Sequence, residues 1–245
     1  AEYVLPVDLY IVGIEHSVMH LLYARFFTKA LRECGYLDLS EPFTNLLTQG
    51  MICHETYRSK DGKWLYPEEV RKEGDRAYEL TSGHHVKIGR IEKMSKSKKN
   101  TINPDDMIRK YGADTVRLFA LSDSPPERNM EWSASGVEGC YRYLTKIYSM
   151  AEGVAKTPAP PKSAVSRETL EILHRTIEAI THDIDQYHFN KAIARIRELT
   201  NHLSQAPSTD VRHAMPLVAQ LLAPFTPHLA EEMWQMMERT APITM

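Results

Sequence analysis

Leu9-Tyr10-Ile11-Val12-Gly13-Ile14-Glu15-His16-Ser17-Val18-Met19-His20-Leu21-Leu22 passes within a few residues from one structural period to another. Leu9 to Val12 is a short apolar, partly β-branched run that stops at Gly13. From Val18 through Leu21, Leu22, Phe26 and Leu31 the apolar residues recur at helical spacing until Gly35. The stretch predicts a strand, a tight turn and a crossover helix, the opening of a parallel α/β sheet. A second strand is predicted over Asn45 to Cys53 and a third over Val86 to Ile91. Between them His54 to Arg76 is rich in Lys, Glu, Asp and Gly, and residues 54–80 are expected to be a surface insertion. Asn103 as cap and Pro104 at the first helical position open a short helix that ends at Gly112, and Asp114 to Leu121 makes another.

From Ser133 onward the periodicity is wholly helical. One helix is predicted over Ser133 to Met150. Pro158, Pro160 and Pro161 make Lys156 to Ser166 a linker. Leu170, Leu173, Ile177, Ile180 and Ile184 then recur at spacings of three and four, as do Ile193, Ile196, Leu199 and Leu203. Further helices are predicted around Val218 to Leu222 and from Pro227 to Met236, the last capped by Thr226. The expected division is therefore residues 1–122, α/β with the insertion at 54–80, and residues 123–245, an antiparallel helical bundle.

The 245 residues are 42% hydrophobic and 25% charged, which excludes a disordered chain. Thirty Lys and Arg against 32 Asp and Glu leave a formal charge of −2, so contact with nucleic acid requires a local basic surface. Cys34, Cys53 and Cys140 show no C-x-x-C spacing, which argues against a disulfide framework or a thiolate zinc site and points to a reducing, cytosolic setting. The apolar runs Leu21 to Ala24 and Leu217 to Phe225 fall short of the roughly 18 residues a membrane span needs. Glu2 and Asp8, with no basic residue among the first eight, do not make a signal peptide. The opening without methionine, directly into a strand, is expected of a piece of something longer.

The chemically loudest element is Lys93-Met94-Ser95-Lys96-Ser97-Lys98-Lys99-Asn100, a polar loop directly after a strand. Between Lys87 and Lys99, Lys87, Arg90, Lys93, Lys96, Lys98 and Lys99 stand against Glu92 alone. A cationic arm on a strand end suits the neutralising of a polyphosphate as it becomes a leaving group. The same composition also suits a solvated basic loop.

Lys93 to Ser97 spells KMSKS, and this loop resembles the signature loop of class I aminoacyl-tRNA synthetases. Pro6 to Tyr10 followed by Gly13 to Phe26 resembles the segment that follows the editing insertion in the leucyl type. Gln49-Gly50-Met51, Tyr111 to Arg117 and Pro224 to His228 fit that family's pattern in its order. Isoleucyl, valyl and methionyl relatives share the lysine loop and remain an alternative. The resemblance implies the second half of a Rossmann-like parallel nucleotide-binding fold followed by an all-α, anticodon-binding-type bundle with a stem-contact segment before it.

The implied reaction has two steps: leucine carboxylate attacks the α-phosphorus of ATP, releasing pyrophosphate, and the terminal ribose of tRNA(Leu) then takes the leucyl group. Bound Mg²⁺ is expected to share the neutralising work with Lys93 and Lys96, assisted by the hydroxyls of Ser95 and Ser97. Lys98 and Lys99 are either solvated or in contact with RNA. Gly13 is either an ordinary turn glycine or a point of close nucleoside approach; Glu15 is a capping carboxylate or an acceptor for ribose hydroxyls. His16 and His20, at i and i+4, have metal-ligand spacing without an evident third ligand, or pack as a structural pair. The resemblance implies His16 near ATP and His20 beside the amino-acid side chain, with no metal there. Tyr10 is a strand aromatic or the other wall of that pocket, and the main chain of Gly50 and Met51 is implied at the adenine edge.

The chain has no H-x-G-H element, the partner signature of the amino-terminal half; Gly83-His84-His85 does not substitute. No hydrolytic editing module fits within these residues, and the chain stops at Met245, before a small carboxy-terminal RNA-binding domain. It is therefore expected to be inactive alone and to need a missing N-terminal half. The alternative, a tRNA-binding half or subunit of a split synthetase, points to Lys191 and Arg195, with Arg197 nearby, as a phosphate-facing surface; a solvated helix face is the plainer reading of those three.

Overall fold

The computed structural model describes residues 3–237 and 241–243, apart from the side chain of Lys162; the expected chain ends at Ala1 and Met245 lie outside them. The chain divides into two compact units, Ala1–Thr101 with Pro126–Glu131, and Ile102–Pro125 with Trp132–Met245. The path thus leaves the first unit at Thr101, before the expected boundary at 122, and returns to it for one short strip.

In the first unit, β1 (Val7–Gly13) runs parallel to β2 (Phe43–Gln49), Val7 opposite Phe43 and Gly13 opposite Gln49. The crossover passes through a 3₁₀ turn at Ile14–His16 and α1 (Met19–Glu33). Gly35 stops α1 at φ +79°, a left-handed conformation that a side chain disfavours. Val12, Leu21 and Leu47 are buried between helix and strands.

Asn45 to Cys53, expected as one strand, is two. The ladder of β2 ends at Gln49, and β3 (Ile52–Arg58) begins a different sheet with β4 (Trp64–Leu65), β5 (Val70–Glu73), β6 (Arg76–Glu79), β7 (His85–Lys93) and β8 (Met130–Glu131). The order is β4-β3-β7-β6-β5, antiparallel throughout, with β8 parallel to β3. The expected insertion at 54–80 is therefore mostly strand. Tyr57, Leu65, Ala77 and Val86 form its core, with Val70 and Ile88 against it. Because only one face of each short strand is apolar, composition alone reads the segment as polar loop. Among the described residues parallel pairing is confined to β1 with β2 and β3 with β8, and the other ladders are antiparallel.

The second unit is helical: α2 (Pro104–Tyr111), α3 (Ala113–Ser122), α4 (Ala134–Ala155), α5 (Arg167–Asp185), α6 (Phe189–Leu203), α7 (Ser208–Leu222) and α8 (Pro227–Met236). Ser133 caps α4 by accepting from the Gly136 N–H, and the helix runs on past Met150 to Ala155. Leu173, Ile180, Ile193, Ile196, Met215 and Leu222 make the fully buried centre. α7 is longer than expected because it carries Pro216 in its interior, a residue that ordinarily ends a helix. Thr226 precedes α8 but its hydroxyl points back to the Leu222 carbonyl at 3.4 Å and does not cap. The cap comes from Asp114 on α3, whose Oδ2 accepts from the Leu229 N–H at 2.7 Å.

Candidate nucleotide and amino-acid site

The first unit brings the lysine loop to the turn after β1. Lys93, the last residue of β7, places its Nζ 3.4 Å from Glu15 Oε1. The Glu15 carboxyl lies below its ordinary range, held down first by a backbone N–H and then by the Lys93 ammonium. A Cβ built on Gly13 would meet the Glu15 carboxylate at 2.4 Å, so the glycine leaves room for that side chain to fold back over the turn. Lys93 and Glu15 are exposed, so their attraction is weak and readily exchanged for a ligand.

The loop is pinned at its far end by Asn100, which is fully buried. Its Nδ2 donates to the carbonyls of His54, Glu92 and Lys93 at 3.2 to 3.3 Å, and its Oδ1 accepts from the Ser95 N–H at 2.9 Å. Met94 is tied to β3 through the Ile52 carbonyl. Between these anchors the hydroxyls of Ser95 and Ser97 lie 3.3 Å apart, Lys98 pairs with Glu92, and the Lys99 ammonium stands over the Tyr66 ring. Lys98 and Lys99 are thus engaged within the protein. Lys96 is exposed, and among the described residues its side chain has no hydrogen bond or ion pair.

Tyr10, His16 and His20 form one cluster. The Tyr10 hydroxyl and His20 Nε2 hydrogen-bond at 2.6 Å, the His16 and His20 rings meet edge to face at 5.8 Å, and Tyr10 stacks on Phe43 at 4.1 Å. Stacking fixes the tyrosine and the hydroxyl fixes the imidazole, so the pair is positioned before any ligand arrives. Among the described residues no third ligand joins the histidines.

Gly50 and Met51 lie at the break between β2 and β3, against the returning strip. The Gly50 N–H donates to the Pro126 carbonyl and the Met51 N–H to Asn129 Oδ1, while the Met51 carbonyl accepts from the Met130 N–H. The main-chain groups implied at an adenine edge are largely occupied by this strip. A Cβ at Gly50 would fall 2.1 Å from the Arg128 carbonyl group, so glycine is required by close backbone approach. Asn100 and Asn129 were not signalled by the sequence, since their partners lie as far as 46 and 78 residues away.

In the second unit the three cationic residues singled out above are engaged to different degrees. Arg195 pairs with the buried Asp183 at 2.6 Å, and Arg197 stacks its guanidinium over Tyr143 and donates to Cys140 Sγ. Lys191, near His188, and Arg195 are both exposed. Two other stretches singled out above meet instead. Asp114 binds His228 at 2.9 Å as well as capping α8, and Arg117 donates to the carbonyls of Pro224 and Phe225.

Comparison with known proteins agrees with this layout. Residues 84–133 match the model of class I tRNA synthetases for isoleucine, leucine, methionine and valine, and residues 166–244 the anticodon-binding domain of tRNA ligase. Leucine–tRNA ligases of Paramagnetospirillum magneticum and Rickettsia massiliae are each 50% identical over 96% of the chain, and that of Rhodospirillum rubrum is 48% identical over 97%. The chain spans 28% to 29% of the length of these curated relatives. A crystal structure of an Agrobacterium radiobacter LeuRS–tRNA–LeuAMS ternary complex superposes over 99% of the chain and 28% of its own, with TM-score 0.74 and 28% identity. Mycobacterium tuberculosis methionyl-tRNA synthetase, at 16% identity and TM-score 0.62 over 95% of the chain and 44% of its own, shares the fold. Over nearly its whole length the chain is thus similar to one part of the leucyl class I aminoacyl-tRNA synthetases.

Proposed function

We propose that this chain carries the lysine-loop half of a leucine–tRNA ligase, the part that neutralises ATP phosphates during leucine activation and contributes to holding tRNA(Leu). The observation that carries the reading is the approach of Lys93 to Glu15, which sets the lysine loop beside the turn after β1. Lys96, free of internal partners among the described residues, reaches the β- and γ-phosphates as pyrophosphate leaves, and Lys93 exchanges Glu15 for phosphate oxygen. Ser95 and Ser97 donate hydroxyls to the same oxygens. Gly13, Glu15 and His16 face the nucleoside, with Glu15 accepting from ribose hydroxyls. Gly50 presents no side chain, so the main chain of Gly50 and Met51 can approach the base closely. Tyr10 and His20 form one wall of the leucine pocket.

Mg²⁺, when bound with ATP, would be held through substrate oxygens and would share the neutralisation of the phosphates with Lys93 and Lys96.

The remainder of the nucleotide fold is supplied by a further part of the synthetase. The exposed side of α1 supports this: Val18, Met19, Leu22, Tyr23, Phe26 and Phe27 all face solvent, Leu22 at 64% and Phe26 at 61% exposure. Parallel strands and their crossover helices are ordinarily covered on both faces, and a contiguous apolar patch of this kind marks an interface. Leucine-dependent ATP–pyrophosphate exchange tests the whole reading. None is expected from the 245-residue chain, and exchange is expected when the amino-terminal half of a leucyl synthetase is added. Exchange driven equally by isoleucine, valine or methionine, or robust exchange by the chain alone, would overturn it.

A further inference from the structure

A cleft of about 880 Å³ opens in the helical unit, floored by α7 and walled by the carboxyl end of α4 with its following linker and by α8. Lys156, Arg212, His213, Gln220 and Trp234 line it among apolar neighbours, and among the described residues no acidic residue does. The guanidinium of Arg212 is the unusual group, because its residue is only 8% exposed. Its Nε donates to the Thr157 carbonyl at 2.6 Å, and among the described residues no carboxylate pairs with it. The acid two residues before it, Asp210, is engaged elsewhere. Burial pushes the Asp210 carboxyl up, and donors from Ser166 and Thr169 pull it back below its ordinary value, so it remains charged on the α5 side.

A buried cation without a counter-ion is costly, and native proteins ordinarily resolve that cost with a partner charge. Here the free edge of the guanidinium lines an open cleft that also carries Lys156 and His213. A carboxylate presents only two oxygens, and a guanidinium fork engages both. A tetrahedral phosphate offers further oxygens to a lysine and an imidazole beside it. We propose that this cleft is a phosphate-binding site centred on Arg212, with Lys156 and His213 as outer donors. Its ligand is a phosphate group, presented either by a small phosphate or by an RNA phosphodiester. The RNA source rests on the functional reading above; the site itself does not.

Inorganic phosphate added to the 245-residue chain at fixed pH and ionic strength, with chloride as the reference anion, tests the site directly. In the wild-type chain the indole N–H signal of Trp234 is expected to shift saturably, with those of Trp64 and Trp132, which lie outside the cleft, unmoved. The melting midpoint is expected to rise by several degrees at high phosphate through mass action. Arg212→Met is expected to melt in chloride at or above the wild-type temperature, since an apolar chain replaces an unpaired charge, and to lose the phosphate response. No Trp234 shift in the wild type, or an equal midpoint rise in both proteins, would overturn the site. A second arm measures tRNA binding across salt concentrations. A slope of log K against log salt that is shallower by about one in Arg212→Met assigns the site to RNA phosphate. An unchanged slope beside a retained phosphate response assigns it to a small phosphate. Absence of tRNA binding altogether, with the phosphate response intact, removes the RNA part of the functional reading and leaves the site standing.

Discussion

Asn100 shows how much of the lysine loop depends on one uncharged side chain. The four lysines around it draw attention because their chemistry is visible in the sequence. The loop is shaped, however, by three carbonyls that share the Asn100 amide and one N–H that needs its oxygen. Asn100→Ala removes the shared donor from the three carbonyls and leaves the Ser95 N–H without its acceptor, the last at about 1 to 3 kcal/mol. We expect amide hydrogen exchange across residues 93–100 to accelerate at least tenfold; unchanged protection would show that the loop holds its shape without the anchor. Asn100→Asp is expected to do worse, because a carboxylate cannot donate to those carbonyls. Glu41 gives a second test at this scale. Arg25 grips it with two bonds of 2.8 Å and Lys29 approaches at 3.3 Å, which lowers its pKa from 4.5 to about 2. The carboxylate is therefore favoured in the folded state above pH 4.5, and that contribution is lost as pH falls through about 2. Glu41→Gln should flatten the dependence of the denaturation midpoint on pH between those values, and an unaltered dependence would show the pair contributes nothing.

Elements are positioned by contacts that sequence periodicity does not carry. The β1–turn–α1 unit and the helical bundle are legible because apolar residues recur at the spacing of the element that buries them. β4 to β6 are hidden because their core needs only Tyr57, Leu65, Ala77 and Val86 among many charges. Thr226 was the natural cap for α8 by residue type, yet Asp114, more than a hundred positions earlier, performs that work. Lys191 and Arg195, with Arg197 nearby, show the same limit: spacing does not reveal that Asp183 engages Arg195 and that Arg197 stacks over Tyr143. Asp114→Ala therefore removes both the acceptor for Leu229 and the partner of His228, and is expected to cost about 1 to 3 kcal/mol, read as a lowered denaturant midpoint. Thr226→Ala should cost much less than Asp114→Ala, and the reverse order would restore the threonine as the cap. At the sheet break, Gly50→Ala forces a methyl into the Arg128 carbonyl. That substitution should displace Pro126–Glu131 from β3, detected as rapid exchange of the Met51 and Met130 amides, which are otherwise bonded within the strip.

At the scale of the whole molecule the question is why a two-stranded parallel ladder persists with one side of its crossover helix open. Val12, Leu21 and Leu47 close the inner side, whereas Leu22, Phe26 and Phe27 remain in water. A helix apolar on both sides belongs to a covered layer, and the relatives that match this chain at 48% to 50% identity are more than three times as long. On the proposed function the outer side of α1 is a binding surface for the rest of the nucleotide fold, and its chemistry makes a prediction separable from catalysis. Alone, the 245-residue chain should self-associate at micromolar concentration through this face, and Leu22→Gln with Phe26→Gln should restore a monomer on light scattering. The same double substitution leaves Lys93, Lys96, Glu15 and His20 in place. It should nonetheless abolish exchange reconstituted with an amino-terminal half, because burying two amides in place of a leucine and a phenylalanine removes several kcal/mol of apolar contact on the order of 25 cal/mol per Å². A chain that stays monomeric with the wild-type face exposed, or that reconstitutes as well with two glutamines as without, would show that the partner half docks elsewhere.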